Sequence, residues 1–161
     1  FISIFIGVAV GTAPLIGYNH GANNHAELKN LLRKCVTVLL AVALLMIAAG
    51  ELLAKPLAQI FVSYDPVLME MTRRGFVIYS LSFLLCGFNI FGSSLFTALN
   101  NGLISAVISF VRTLVCQIAA VMILPVFFDL DGIWWSIGVA EMMAVVFSAL
   151  FLILKRKRFL K

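Results

Sequence analysis

The chain has 161 residues, 63% hydrophobic and 12% charged, with a formal net charge of +5 and a mean hydropathy of +1.10. Soluble domains are about half apolar and about a quarter charged, so a water-facing globule is excluded. The same numbers exclude a disordered chain, a collagen-like fibre and a disulfide scaffold. A span across ~30 Å of hydrocarbon uses about 20 residues, which leaves room for about five spans at most.

Apolar runs between polar interruptions predict five helices and an all-α membrane fold. The first covers about 2–21 and starts at Phe1 with no basic leader, unlike a signal peptide. With an odd number of spans and a first residue other than Met, the chain is expected to be the C-terminal piece of a longer membrane protein. The second helix runs from Cys35 to Leu53. After it, the run PLAQIFVSY is too short to cross and is expected to lie in the interface. The third spans 66–99, with Asp65 as its N-cap and Pro66 as its first helical residue, where a missing N–H costs nothing. The fourth covers 103–127 and the fifth 132–154. Asn100-Asn101-Gly102 and Asp129-Leu130-Asp131-Gly132 supply the turn chemistry between them. A basic tail, 155–161, follows.

Lys and Arg placement sets the expected direction. Lys29, Arg33 and Lys34 share a side with Lys155, Arg156, Lys157, Arg158 and Lys161, which is eight of the twelve basic residues. The other side holds Lys55, Arg73 and Arg74, with Asp65, Asp129 and Asp131 near them. The C-terminus is therefore expected to be cytoplasmic and the chain multi-pass in the cytoplasmic (inner) membrane. The positive charge is explained by this bias and by anionic headgroups, so nucleic acid is not an expected partner. Trp134 and Trp135 are expected at a water–lipid boundary.

No residue pattern points to an enzyme, a metal site or a bound cofactor. Cys35, Cys86 and Cys116 are far apart, and His20 and His25 fall on different helix faces. The DLDG segment lacks the other ligands of a calcium loop. No phosphate-binding loop, GxSxG elbow or HExxH motif is present.

Polar groups inside spans are costly and default to functional hypotheses. Arg112 lies in the fourth helix and Glu141 in the fifth, at depths that differ by very roughly 8 Å when counted from the turn. Three readings stand: an ion pair locking the helical hairpin, Glu141 as a proton- or cation-coupling group, or Arg112 capping helix-end carbonyls. Asn89 sits mid-span in the third helix and needs a partner or a wet cavity; Gln117 belongs with it. Tyr79 and Phe83 form an aromatic stripe with Phe76, facing lipid, a neighbouring helix or a hydrophobic ligand. Residues 11–34 read GTAPLIGYNHGANNHAELKNLLRK. Pro14 kinks the first span, and Gly11, Gly17 and Gly21 permit close backbone approach, leaving Tyr18, Asn19 and Asn23 at its exit.

This string resembles the G-x-x-P-L-x-G-Y-N-x-G-A signature of the multidrug and toxic compound extrusion (MATE) family. FNIFGSSLFTALNNG at 88–102, ISFVRTL at 108–114 and LDGIWWSIGVAE at 130–141 extend the likeness, which is strongest to bacterial multidrug exporters. The resemblance implies a twelve-helix transporter of two six-helix lobes, of which these helices match the eighth to twelfth. It implies export of cationic or amphiphilic drugs in exchange for Na+ or H+ by alternating access, with the first lobe as the missing partner. Some members carry an acidic residue where this chain has Asn89. That departure shifts the expected coupling acid to the missing lobe and makes Asn89 a cavity or hydrogen-bonding residue. Two other readings remain: a lipid-linked oligosaccharide flippase of the same superfamily, and a non-transporting membrane scaffold subunit.

Overall fold

The computed structural model describes the backbone of residues 1–159 and side chains through Phe151. The basic side chains of the tail, 155–161, lie outside the described residues. Six α-helices and one π-helical turn follow one another: α1 (Ile2–Gly21), α2 (His25–Val62), α3 (Pro66–Leu81), α4 (Phe83–Ala98), α5 (Gly102–Phe110), the π turn (Val111–Cys116) and α6 (Gln117–Phe159). Among the described residues there is no strand. Helix α6 is broken at Asp129, whose φ of 48° and ψ of −131° are not helical. Its outgoing limb, 117–128, continues from the π turn, and its return limb, 130–159, runs back. Taking α3–α4 as one bent span and dividing the apolar 102–151 stretch at Asp129 gives five membrane-length segments.

Three tight turns reverse the chain by one device. Each places an Asn or Asp at positive φ: Asn23 (54°), Asn100 (57°) and Asp129 (48°). These side chains tolerate the left-handed region better than other non-glycine residues because they hydrogen-bond locally. In both Asn-Asn pairs the first residue turns and the second caps. Asn24 accepts from the Glu27 N–H at 3.2 Å and Asn101 from the Ile104 N–H at 3.4 Å. Their own N–H groups return to Asn19 O and Phe96 O, satisfying the last carbonyls of the preceding helices.

Three predicted elements change. The second helix reaches from His25 to Val62, through Pro56 and through the run expected to lie in the interface. Buried Ala54 and Ala58 flank Pro56 on the face α2 packs against α3, and this packing outweighs the missing backbone bond. The predicted third helix is bent by 44° where α3 meets α4. There Ser80 and Ser82 donate their hydroxyls to the Val77 and Tyr79 carbonyls at 2.8 and 2.6 Å, competing with the backbone ladder. The Asp65 cap holds as expected, accepting from Val67 N at 2.8 Å and Leu68 N at 3.2 Å. The third change is the reversal at the DLDG segment, which occurs at the single residue Asp129. Helix surrounds it on both sides, and Gly132 packs on the Leu124 carbonyl so closely that a side chain has no room.

The main core joins α1, α2 and α4 through Phe5, Ile16, Leu28, Leu39, Phe83, Phe91 and Leu95. A second core of Cys116, Ala120, Ala140 and Ala144 zips the two limbs of α6. Small residues suit this hairpin, because lipid supplies no hydrophobic drive and close backbone contact must hold the helices together.

Candidate functional site

Helix α4 carries a polar face at helical spacing: Cys86, Asn89, Ser93 and Thr97. Asn89 lies ten residues before Leu99, so it sits about 15 Å from that end of the span, near half the hydrocarbon thickness. It is 1% exposed. Its amide donates to Glu141 O at 2.9 Å and to Glu141 Oε2 at 2.6 Å. Ser148, two helical turns beyond Glu141, donates to Asn89 Oδ1 at 3.4 Å.

Arg112 enters from the π turn. Its Nε donates to both Glu141 oxygens at 3.0 Å, and Nη2 to Oε1 at 2.6 Å. Nη2 also donates to Cys86 Sγ at 3.2 Å. Arg112 and Glu141 therefore meet directly, as the ion-pair reading requires. The depth difference expected from counting is narrowed by two features, and the long Arg112 side chain spans the rest. Helix continues to within one residue of Asp129 on each side, and the i→i+5 turn packs an extra residue into the same axial length. The outcome is a buried network joining α4, the π turn and the return limb. A formal charge pair at its centre is surrounded by donors.

The π turn has a second consequence. Upstream of it, Ser105 and Ser109 of α5 face α4, with Ser93 Oγ at 2.9 and 2.7 Å and Thr97 donating to Ser105 Oγ at 2.8 Å. Downstream, Cys116 and Ala120 face the return limb instead. An unbroken α-helix would keep residues 105, 109, 112, 116 and 120 on one stripe. The wider turn swings that stripe from one neighbour to the other, with Arg112 at the pivot.

Beside Asn89 and Ser148 lies a cavity of about 350 Å³, walled by Leu32, Val36, Phe88, Phe91 and Val145. It is apolar apart from the amide and the hydroxyl.

Other candidate residues are elsewhere. Gln117 is exposed and stands apart from the network. Phe83 is buried in the main core, stacked on Phe1 at 5.3 Å and edge-on to Tyr79 at 5.6 Å, so these rings pack α1, α3 and α4 together. In the motif helix, Pro14 stands within α1, and Thr12 donates to Val8 O at 2.8 Å one turn before it. Of the three motif glycines, Gly17 approaches the Ala98 carbonyl of α4, while Gly11 and Gly21 face open space among the described residues. Tyr18 is exposed at the helix exit, and Asn19 donates to Leu15 O at 2.9 Å. Cys86 and Ser148 were missed by reading single residues. Their spacing, i−3 from Asn89 and i+7 from Glu141, places them on the same helix faces.

The MatE family profile matches residues 1–123. The chain belongs to the MatE family. As transporters, its members are not enzymes. Three solved structures share the fold. A Vibrio cholerae MATE transporter in its bent form aligns over 88% of this chain with a TM-score of 0.79 and 21% identity. An outward-facing multidrug resistance MATE transporter aligns over 96%, at 0.84 and 23%. An inward-facing one aligns over 98%, at 0.88 and 22%. No curated protein matches by sequence. The chain spans about a third of the length of these solved structures, covering 32%, 34% and 36% of them.

Proposed function

We propose that this MatE chain is most of the second lobe of a secondary active exporter of cationic or amphiphilic drugs, coupled to Na+ or H+ antiport across the cytoplasmic membrane. The observation that carries the reading is the mid-span network of Arg112, Glu141 and Asn89 beside an apolar cavity. Cavities of about 300–1,000 Å³ with mostly apolar walls and a few fixed polar groups suit amphiphilic ligands. In the cavity described above, Asn89 and Ser148 are the polar groups and Phe88 and Phe91 the aromatic wall.

The lobe's closeness in fold to both an outward-facing and an inward-facing relative supports movement as a rigid body, with alternating access arising between lobes. Glu141 is already neutralised by Arg112, which supports a coupling acid in the other lobe. The same pairing directs Arg112 Nε and Nη2 to Glu141 and Cys86, away from a phosphate headgroup, which weighs against a flippase. The Lys and Arg asymmetry supports a cytoplasmic C-terminus.

The test is uptake of a labelled cationic dye by proteoliposomes of the full-length protein, with a Na+ gradient, a proton gradient or neither. Gradient-driven dye movement is expected, weakened by Asn89→Leu. Movement indifferent to both gradients would overturn the antiporter reading.

A further inference from the structure

At the end of the bundle where the chain reverses at Asp129, α3 and the start of the return limb meet through four charged side chains and two tryptophans. Arg73 grips Glu70 on its own helix, with Nε at 3.0 Å and Nη2 at 2.7 Å. Arg74 reaches across to Asp131 with Nη2 at 2.5 Å, leaving its other N–H groups to solvent or a ligand. Arg74 is largely exposed and Arg73 about half so. Arg74 stands between two open grooves. One, of about 610 Å³, is walled by Glu70, Arg74, Asp131 and Trp134, with Pro66 and Leu130. The other, of about 460 Å³, shares Glu70 and Arg74, adds Arg73, then follows α3 to Val77 and Ile78 beneath Trp135.

We propose that these grooves bind one phospholipid with a phosphoethanolamine headgroup. The phosphate sits on the open donors of Arg74, and the ammonium lies between the carboxylates of Glu70 and Asp131. An acyl chain runs along Val77 and Ile78.

Three features select this ligand. The cluster carries two positive and two negative groups, so its sum is zero and it matches a zwitterion; an anionic lipid would leave both carboxylates facing its charge. Val77 and Ile78 lie one turn below Arg74, where a chain leaving the phosphate enters the hydrocarbon. Trp134 and Trp135 place the site at headgroup depth, since indoles concentrate at that boundary. The proposal rests on the membrane fold and is independent of what is exported.

The experiment is native mass spectrometry of the purified full-length protein titrated with phosphatidylethanolamine, phosphatidylcholine and phosphatidylglycerol of identical chains. Phosphatidylethanolamine is expected to bind about fivefold tighter than phosphatidylglycerol, the effect of one interfacial charge contact. Phosphatidylcholine, which keeps the charge but offers no N–H, falls between. Arg74→Gln lowers phosphatidylethanolamine binding about fivefold. Glu70→Gln combined with Asp131→Asn removes the preference over phosphatidylglycerol, and Lys55→Gln leaves it intact. Equal binding of the three lipids, a preference for phosphatidylglycerol, or wild-type binding by the Arg74 variant would each overturn the proposal. If the Arg74 variant folds poorly, the lipid series on the unchanged protein decides alone.

Discussion

Replacing Glu141 by Ala removes the acceptor for both Arg112 Nε and Nη2 and for one Asn89 amide proton. The Glu141 carbonyl, which takes the other Asn89 proton, remains. Arg112 is then a charge whose side chain is 23% exposed, with Cys86 Sγ as its remaining partner. Leaving one member of a buried pair alone costs about 3–5 kcal/mol. The lower end applies here, because the side chain keeps some access to the surface. Arg112→Met leaves Glu141, 11% exposed, without its cation and held by neutral groups such as Asn89, and a similar loss of about 3 kcal/mol follows. The double variant removes both charges and strands neither, so its loss is smaller than the sum by about 1–3 kcal/mol. The assay is a double-mutant cycle on the full-length protein, read as folded fraction against denaturant in detergent. Additive losses would refute the reasoning, because two groups that do not meet cannot rescue each other.

Gly75→Ala places a methyl inside the Trp134 ring and is expected to cost about 1–3 kcal/mol by overpacking; Trp134→Leu should restore most of it in a thermal-melt comparison. In the motif helix, Gly17→Leu should separate α1 from the Ala98 carbonyl and lower folded yield. Gly11→Ala, which meets open space, should stabilise α1 by about 0.5–1 kcal/mol in the same melt. Deleting Thr113, an exposed residue of the π turn, should return that turn to α geometry and rotate the preceding helix by about 100°. Ser93→Cys and Ser105→Cys should then form a disulfide in the parent chain and fail to form one after the deletion, as seen by gel mobility. Equal cross-linking in both would show that the π turn does not set the register.

Local chemistry made much of this protein readable from its residues. Hydropathy alone separated five spans from their connections, since hydrocarbon admits only backbone that satisfies itself within the helix. Asp65-Pro66 announced a cap and Asn100-Asn101 a turn because those properties live within four residues; the equivalent Asn23-Asn24 turn and cap went unread, and the second helix starts ten residues before Cys35. Asn89, Arg112 and Glu141 stood out because each is expensive in lipid, and the three do converge.

What the chain order could not supply is anything set by one helix against another. The π turn depends on competing packing demands from α4 and the return limb, and it set the azimuth from which Arg112 reaches Glu141. The passage of α2 through Pro56 likewise follows from neighbours. Phe83 and Gln117 were ambiguous for the same reason, since an aromatic or an amide on a helix reads alike whether it faces core, cavity or surface. Residue types determined which groups needed partners in this membrane protein; only the packed bundle decided which partners they found, because distance in space is set by helix azimuth and register.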